Sequence, residues 1–218
     1  MSVVLLGVEP ESAIVVTDTA CASPFGPRAI AKQHPLPHLN AVIAGRGIGR
    51  LVALLAAEAA IAGLGFDDLA AWLPSAAERL AMDFADDLAK VPARDRRSEI
   101  FLVGRSERAG SFVAHSLELL HDGSRPSHVV YVPTATEGKI VAAPWPEIMG
   151  PLPTLDDLAG DGFIIRAVER QCALMNTRWS PGSAGGCAIV TLLTPDRMVS
   201  RRYPLGVAGD HEQRTAAA

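Results

Sequence analysis

The chain has 218 residues, 49% of them apolar but only 5% aromatic, so a single large domain packed from small aliphatic side chains is expected. With 20 basic and 24 acidic residues the formal net charge is -4, which offers no basic footprint for a phosphate backbone and argues against nucleic acid as a partner. Three cysteines, Cys21, Cys172 and Cys187, form neither a CxxC pair nor a ligand cluster, which argues against a disulfide scaffold and a structural zinc.

The amino-terminal stretch lacks the basic n-region of a signal peptide, and no segment holds the roughly 18 uncharged apolar residues of a membrane span, so a soluble cytoplasmic protein is expected. Residues 3–8 and 13–17 are aliphatic, β-branched runs separated by Glu9-Pro10-Glu11-Ser12, which predicts a hairpin. Residues 21–27 predict a loop, residues 28–33 a short strand, and residues 39–44 a strand interrupted at Gly45. Residues 48–62 are apolar on every face, with Glu58 the only acid, and predict a helix buried between layers.

Residues 67–90 keep Leu69, Trp72, Leu73, Ala76, Leu80, Phe84 and Leu88 at helical spacing. Pro74 is expected to kink or restart that helix, with Ser75 and Glu78 as a capping box. Residues 99–104, 111–120, 128–132 and 139–143 predict a meander of antiparallel strands. Four prolines within 144–153 exclude regular structure there. Thr154 is then expected to cap a helix, with Asp156 and Asp157 at its positive end and Leu158, Ile165, Val168, Cys172 and Met175 on its buried stripe. Residues 185–194 and 197–204 predict a last hairpin around Pro195-Asp196. Without an alternating βαβ pattern, the order predicts an α+β domain over 1–205, in which helices cover antiparallel sheets, and a mobile tail over 206–218.

Four features carry a family resemblance: the hairpin ending in Asp18; Ala31-Lys32-Gln33-His34-Pro35-Leu36 leading into Val42-Ile43-Ala44-Gly45; the helix pair; and Ala184-Gly185-Gly186-Cys187-Ala188-Ile189-Val190. In this order they resemble the subunits of the 20S proteasome and their bacterial peptidase relatives, members of the N-terminal nucleophile (Ntn) hydrolase superfamily, over residues 3–204. The resemblance implies a four-layer αββα sandwich of two antiparallel sheets between helical layers. It also implies that the first mature residue supplies both the nucleophilic side chain and, through its free α-amine and a water, the general base. An α-amine suits that task because its unperturbed pKa lies near roughly 8, close to the working pH.

By the same resemblance, removal of Met1 would expose Ser2 as nucleophile and base, Lys32 would tune the amine, Asp18 would hold Lys32, and the backbone N–H of Gly45 would stabilise the oxyanion. Counting back from Asp18 puts Ser2 at the nucleophile position, whereas counting back from Gly7 puts Val3 there, and one residue on a strand reverses the face. A peptide or amide substrate, no cofactor, no metal, and a homo-oligomer, by resemblance a ring or double ring, are implied. The alternative is a catalytically silent subunit with an assembly role, in which Asp18 and Lys32 are a structural ion pair and Ser2 is incidental. Two departures from the family lie downstream. Residues 144–153 stand where active members have a serine-and-glycine loop opening a helix, and Pro181 and Ala184 occupy the places of an acid and a serine, with Ser180 and Ser183 nearby.

Other motifs have simpler readings. Gly45-Arg46-Gly47-Ile48-Gly49 is GxGxG rather than GxGxxG and lacks a βαβ unit, so a dinucleotide cradle is not expected. His34 and His38 flank Pro35-Leu36-Pro37 without an acid or cysteine to complete a metal set and are expected to be loop histidines. Arg94-Asp95-Arg96-Arg97 and Arg201-Arg202 are expected to be solvated charge at element ends.

Overall fold

The structure is a computed structural model that describes residues 3–21, 28–86, 96–122, 124–134, 138–143, 161–178 and 184–206. Its architecture is mixed α and β, with two antiparallel five-stranded sheets and, among the described residues, three α-helices. β1 (Val4–Val8) and β2 (Ala13–Asp18) form the predicted hairpin, closed where the Glu9 N–H donates to the Ser12 carbonyl at 2.8 Å. The strand expected over 28–33 is divided: β4 (Arg28–Ala29) pairs with β3 (Ala20–Cys21), and β5 (Gln33–Leu36) pairs separately with β6 (Ala41–Arg46).

β6 runs through Gly45, and the chain turns two residues later at Gly47. The predicted interruption is displaced because Gly45 is there for close approach. A Cβ at this position would lie 2.7 Å from a methyl of Val52 and 2.8 Å from the carbonyl oxygen of Glu99.

β7 (Ser98–Ser106), β8 (Ser111–Leu119) and β9 (Ser127–Tyr131) continue the second sheet in the order β5-β6-β7-β8-β9. The expected meander ends there, because β10 (Lys139–Ala143) crosses to the first sheet and pairs with β1, Val4 opposite Ala143. Alternating apolar residues specify a strand but not which edge it joins. β11 (Cys187–Thr194) and β12 (Arg197–Pro204) form the predicted last hairpin, and β11 pairs with β2, giving β10-β1-β2-β11-β12.

α1 (Gly49–Ile61) buries Leu51, Val52, Leu55, Ala56 and Ala59, while Ile61 is 85% exposed. It therefore covers a sheet with one stripe instead of lying buried on all sides, since its many alanines tolerate water and core equally. α2 (Phe66–Met82) is one helix through Pro74, and the Ser75 hydroxyl donates back to the Trp72 carbonyl at 2.9 Å instead of capping a new helix. Burial of Leu69, Leu73, Ala76 and Leu80 on one face keeps the helix continuous despite the lost backbone bond. α3 (Asp161–Arg178) buries Val168, Cys172 and Met175 as expected, with Ile164 in the core and Ile165 only partly covered. Leu88, residues 144–153, the predicted Thr154 cap with Asp156, Asp157 and Leu158, and the tail beyond 206 lie outside the described residues.

Three apolar clusters hold these elements together. Leu51 and Leu55 of α1 and Leu69 and Leu73 of α2 pack on Ile43, Ile100 and Leu102 of the second sheet. Val4, Leu6 and Val15 of the first sheet meet Val42, Phe101 and Phe112 of the second. Val3, Leu5, Val16 and Val190 pack on Ile164, Val168 and Met175 of α3. Each fully buried leucine or phenylalanine contributes roughly 1.5–3 kcal/mol relative to exposure. Helices therefore pack on one face of each sheet while the other two faces pack on each other, an arrangement compatible with a sandwich. No helix among the described residues is long and apolar enough to cross a membrane.

Candidate functional site

Asp18 ends β2 in the first sheet, and Lys32 precedes β5 in the second, so their contact ties the sheets together. Lys32 Nζ stands 2.8 Å from both Asp18 Oδ1 and Oδ2, with the side chains 2% and 0% exposed. Lys32 also donates to the carbonyl of Ala20. On the other side, Asp18 Oδ1 accepts the Val3 N–H at 2.8 Å and Oδ2 accepts the Gly185 N–H at 2.9 Å. A charge taken out of water without partners costs several kcal/mol, and these backbone groups from three separate segments are what make the buried pair tolerable.

The glycine turn against Asp18 is held from α3. Asn176 Nδ2 donates to the Ala184 carbonyl at 2.9 Å and Asn176 Oδ1 accepts the Ala184 N–H at 3.1 Å, which aims the following Gly185 N–H at the carboxylate. Gly186 has φ +77°, and a Cβ there would lie 2.7 Å from the Thr19 hydroxyl oxygen, which itself accepts the Cys187 N–H at 2.9 Å. Ala184-Gly185-Gly186-Cys187 is thus part of the ion-pair site.

Gly45 is joined to the same centre, but its N–H donates to the Lys32 carbonyl at 2.9 Å and is therefore engaged. Ser2 lies outside the described residues. The nearest described group is the Val3 N–H, which belongs to the peptide bond linking Val3 to Ser2. The Val3 side chain is fully buried with Leu5, Val16 and Val168.

Sequence reasoning named Asp18, Lys32 and Gly45, and these three come together. It missed the Val3 N–H, the Gly185 N–H and the Ala20 carbonyl because backbone groups carry no side-chain signature. Only the Gly185-Gly186 dipeptide hinted at them. It also missed Thr17 Oγ1 and Gln33 Oε1, buried polar atoms with no hydrogen-bond partner among the described residues, which belong to the residues flanking the pair on β2 and β5. Buried polar atoms of this kind are uncommon and call for a physical explanation.

A cleft of about 380 Å³ abuts the pair where Thr19, Ala20 and Gly185 meet Glu169, Cys172 and Asn176 of α3. Burial first, and then the negative charge of Asp18, push the Cys172 thiol well above its usual range, so it behaves as an inert packed group. The remaining motifs have structural roles. His34 lies in strand β5, where burial lowers its pKa, and His38 lies in the 3-10 turn Pro37–Leu39, so only His38 fits the loop expectation. Gly47 packs against Arg97 and Ser98, and the Ile48 N–H donates to the Ser98 hydroxyl at 3.2 Å at the entry to α1. No group of three or more metal-ligating side chains occurs among the described residues. Compared with models of known protein families and with curated proteins, the sequence matches none.

Proposed function

We propose that the protein is an N-terminal nucleophile amidohydrolase or peptidase of the proteasome-like kind, and that its two five-stranded sheets and the helices covering them form that class's four-layer αββα sandwich. The observation that carries this reading is the buried Asp18–Lys32 pair hydrogen-bonded to the amide that joins Val3 to Ser2. Val3 has no nucleophilic atom and its side chain is committed to the core, so the reading keeps the count that ends on Ser2.

With Met1 removed, Ser2 Oγ attacks the substrate amide carbonyl while its own α-amine takes the hydroxyl proton through a water. The Oγ–C bond forms, the C–N bond breaks, and the same proton passes to the departing amine. A second water then hydrolyses the acyl ester and restores Ser2. The Lys32 ammonium favours the neutral amine needed for this step, and Asp18 holds that ammonium in place. Gly45 serves the oxyanion if its N–H is shared between Lys32 and substrate. The cleft beside Ala20 and Gly185, at about 380 Å³, is large enough for a substrate moiety. A cytoplasmic homo-oligomer, as a ring or double ring, belongs to the same proposal.

Intact mass spectrometry combined with fluorogenic peptide or amide hydrolysis tests the reading. Protein retaining Met1 should be inactive, Met1-free protein active, and Ser2→Ala should reduce turnover on the order of a thousandfold or more. Hydrolysis untouched by Ser2→Ala would sink it. The second reading, a silent subunit with an assembly role, is favoured by two details. Lys32 already contacts three acceptors, and the Gly45 N–H is engaged. It expects oligomers in native mass spectrometry without hydrolysis from Met1-free protein.

A further inference from the structure

We propose that a second cleft, between the sheets at the end that holds Asp18 and Lys32, binds a neutral carboxamide side chain, a glutamine or asparagine three to four residues from the bond that is cleaved. The position relative to a cleaved bond rests on the proposed hydrolase activity, whereas the ligand chemistry follows from the cleft alone. Its volume is about 230 Å³. Whole small-molecule sites run to roughly 300–1,000 Å³, so this one suits a single side chain.

The cleft is built on one row of the second sheet. Arg46 of β6 stands opposite Glu99 of β7, Glu99 opposite Glu118 of β8, and Glu118 opposite Ser127 of β9. The row begins beside Lys32, because the residue before Arg46 is Gly45, whose N–H donates to the Lys32 carbonyl. Neighbouring strands lie roughly 4.8 Å apart, so Glu99 and Glu118, two and three strands from β5, are roughly 10–15 Å from the ion-pair end. An extended peptide advancing roughly 3.4 Å per residue covers that distance in three to four residues.

Charge decides the ligand class. Arg46 Nε donates to Glu99 Oε2 at 2.5 Å, Arg97 donates to Glu99, and Arg97 Nε donates to Glu118 Oε1 at 2.7 Å. Two guanidiniums are matched by two carboxylates, so a cationic ligand meets Arg97 at the rim and an anionic one meets Glu118. The Glu118 carboxylate and the hydroxyls of Ser116, Ser127 and Tyr131 line the cleft. A primary carboxamide presents two N–H donors and an acceptor oxygen, which complements one carboxylate oxygen and hydroxyls able to donate or accept. Phe101 and Val141 supply apolar surface for the methylenes.

Binding and cleavage separate this inference from the hydrolase reading. Full-length Ser2→Ala protein is titrated calorimetrically with capped alanine hexapeptides carrying one Gln, Glu, Lys or Met. The Gln peptide should bind at least about fivefold tighter than the Met peptide, about 1 kcal/mol for one net hydrogen bond. Ser116→Ala with Ser127→Ala should erase that preference, and Tyr131→Phe should reduce it while preserving packing. Equal binding of all four peptides, preference for Glu or Lys, or no binding overturns the inference. With wild-type protein, products should map the Gln three to four residues from the cut. A Gln preference without cleavage retains the cleft and defeats the hydrolase reading, while cleavage without a Gln preference does the reverse.

Discussion

Two ion-pair systems stand at the same end of the molecule and are built differently. Asp18 and Lys32 are buried, come from different sheets, and have their remaining valences met by backbone groups of Val3, Ala20 and Gly185. The Arg46, Glu99, Arg97 and Glu118 system uses side chains alone, on or next to adjacent strands of one sheet, with Arg97 48% and Glu118 31% exposed. The inner pair is fixed by groups that cannot rearrange without moving the main chain. The exposed Arg97–Glu118 arm of the outer system can exchange a partner for water or a ligand at little cost, whereas Arg46 and Glu99 are mostly buried. A charge that must tune a reacting group belongs in the first kind of setting, and a surface that must select among side chains belongs in the second.

The largest test of this contrast is Lys32→Ala, which leaves the Asp18 carboxylate buried with only backbone donors. It should lower unfolding stability by about 3–5 kcal/mol in urea denaturation. Asp18→Asn combined with Lys32→Met should lose less, because no unpaired charge remains and the carboxamide oxygen still accepts a backbone N–H. A loss below about 1 kcal/mol for Lys32→Ala would mean that water reaches the site, and the contrast would collapse.

Gly45→Ala probes the seam between the two systems, since the added methyl meets Val52 on one side and the Glu99 carbonyl on the other. Overpacking of this kind should cost about 1–3 kcal/mol, and Val52→Ala in the same chain should recover only part of it. Complete recovery would show that the Glu99 backbone yields freely. The smallest effect is expected for Arg97→Ala, at or below about 1 kcal/mol and shrinking further in high salt. A loss as large as that of Lys32→Ala would show that the outer network is no less committed than the inner one.

The elements legible in the sequence are those fixed by local chemistry. The Glu9 to Ser12 turn between two aliphatic runs and the Pro195-Asp196 turn between two others set both hairpins, because hairpin partners are chain neighbours. Ser75 was misread because its hydroxyl has two local uses, and packing of the α2 face decided between them. Gly45 was misread as interrupting its strand because the sequence cannot distinguish a glycine needed for φ from one needed for close approach.

The sequence alone determined the two hairpins, the helical segments and the apolar strands from residue 98 onward, whose residue types and periodicities act over a few neighbours and survive in any context, whereas Asp18 and Lys32 were named as a pair by family resemblance. Tertiary structure alone decided that β10 leaves the meander for β1, that Val3, Ala20 and Gly185 complete the pair, and that Arg46, Glu99, Glu118 and Ser127 align in one row. Each of those outcomes depends on backbone groups or registers separated by many residues, and folding assigns them only when the sheets bury their shared face.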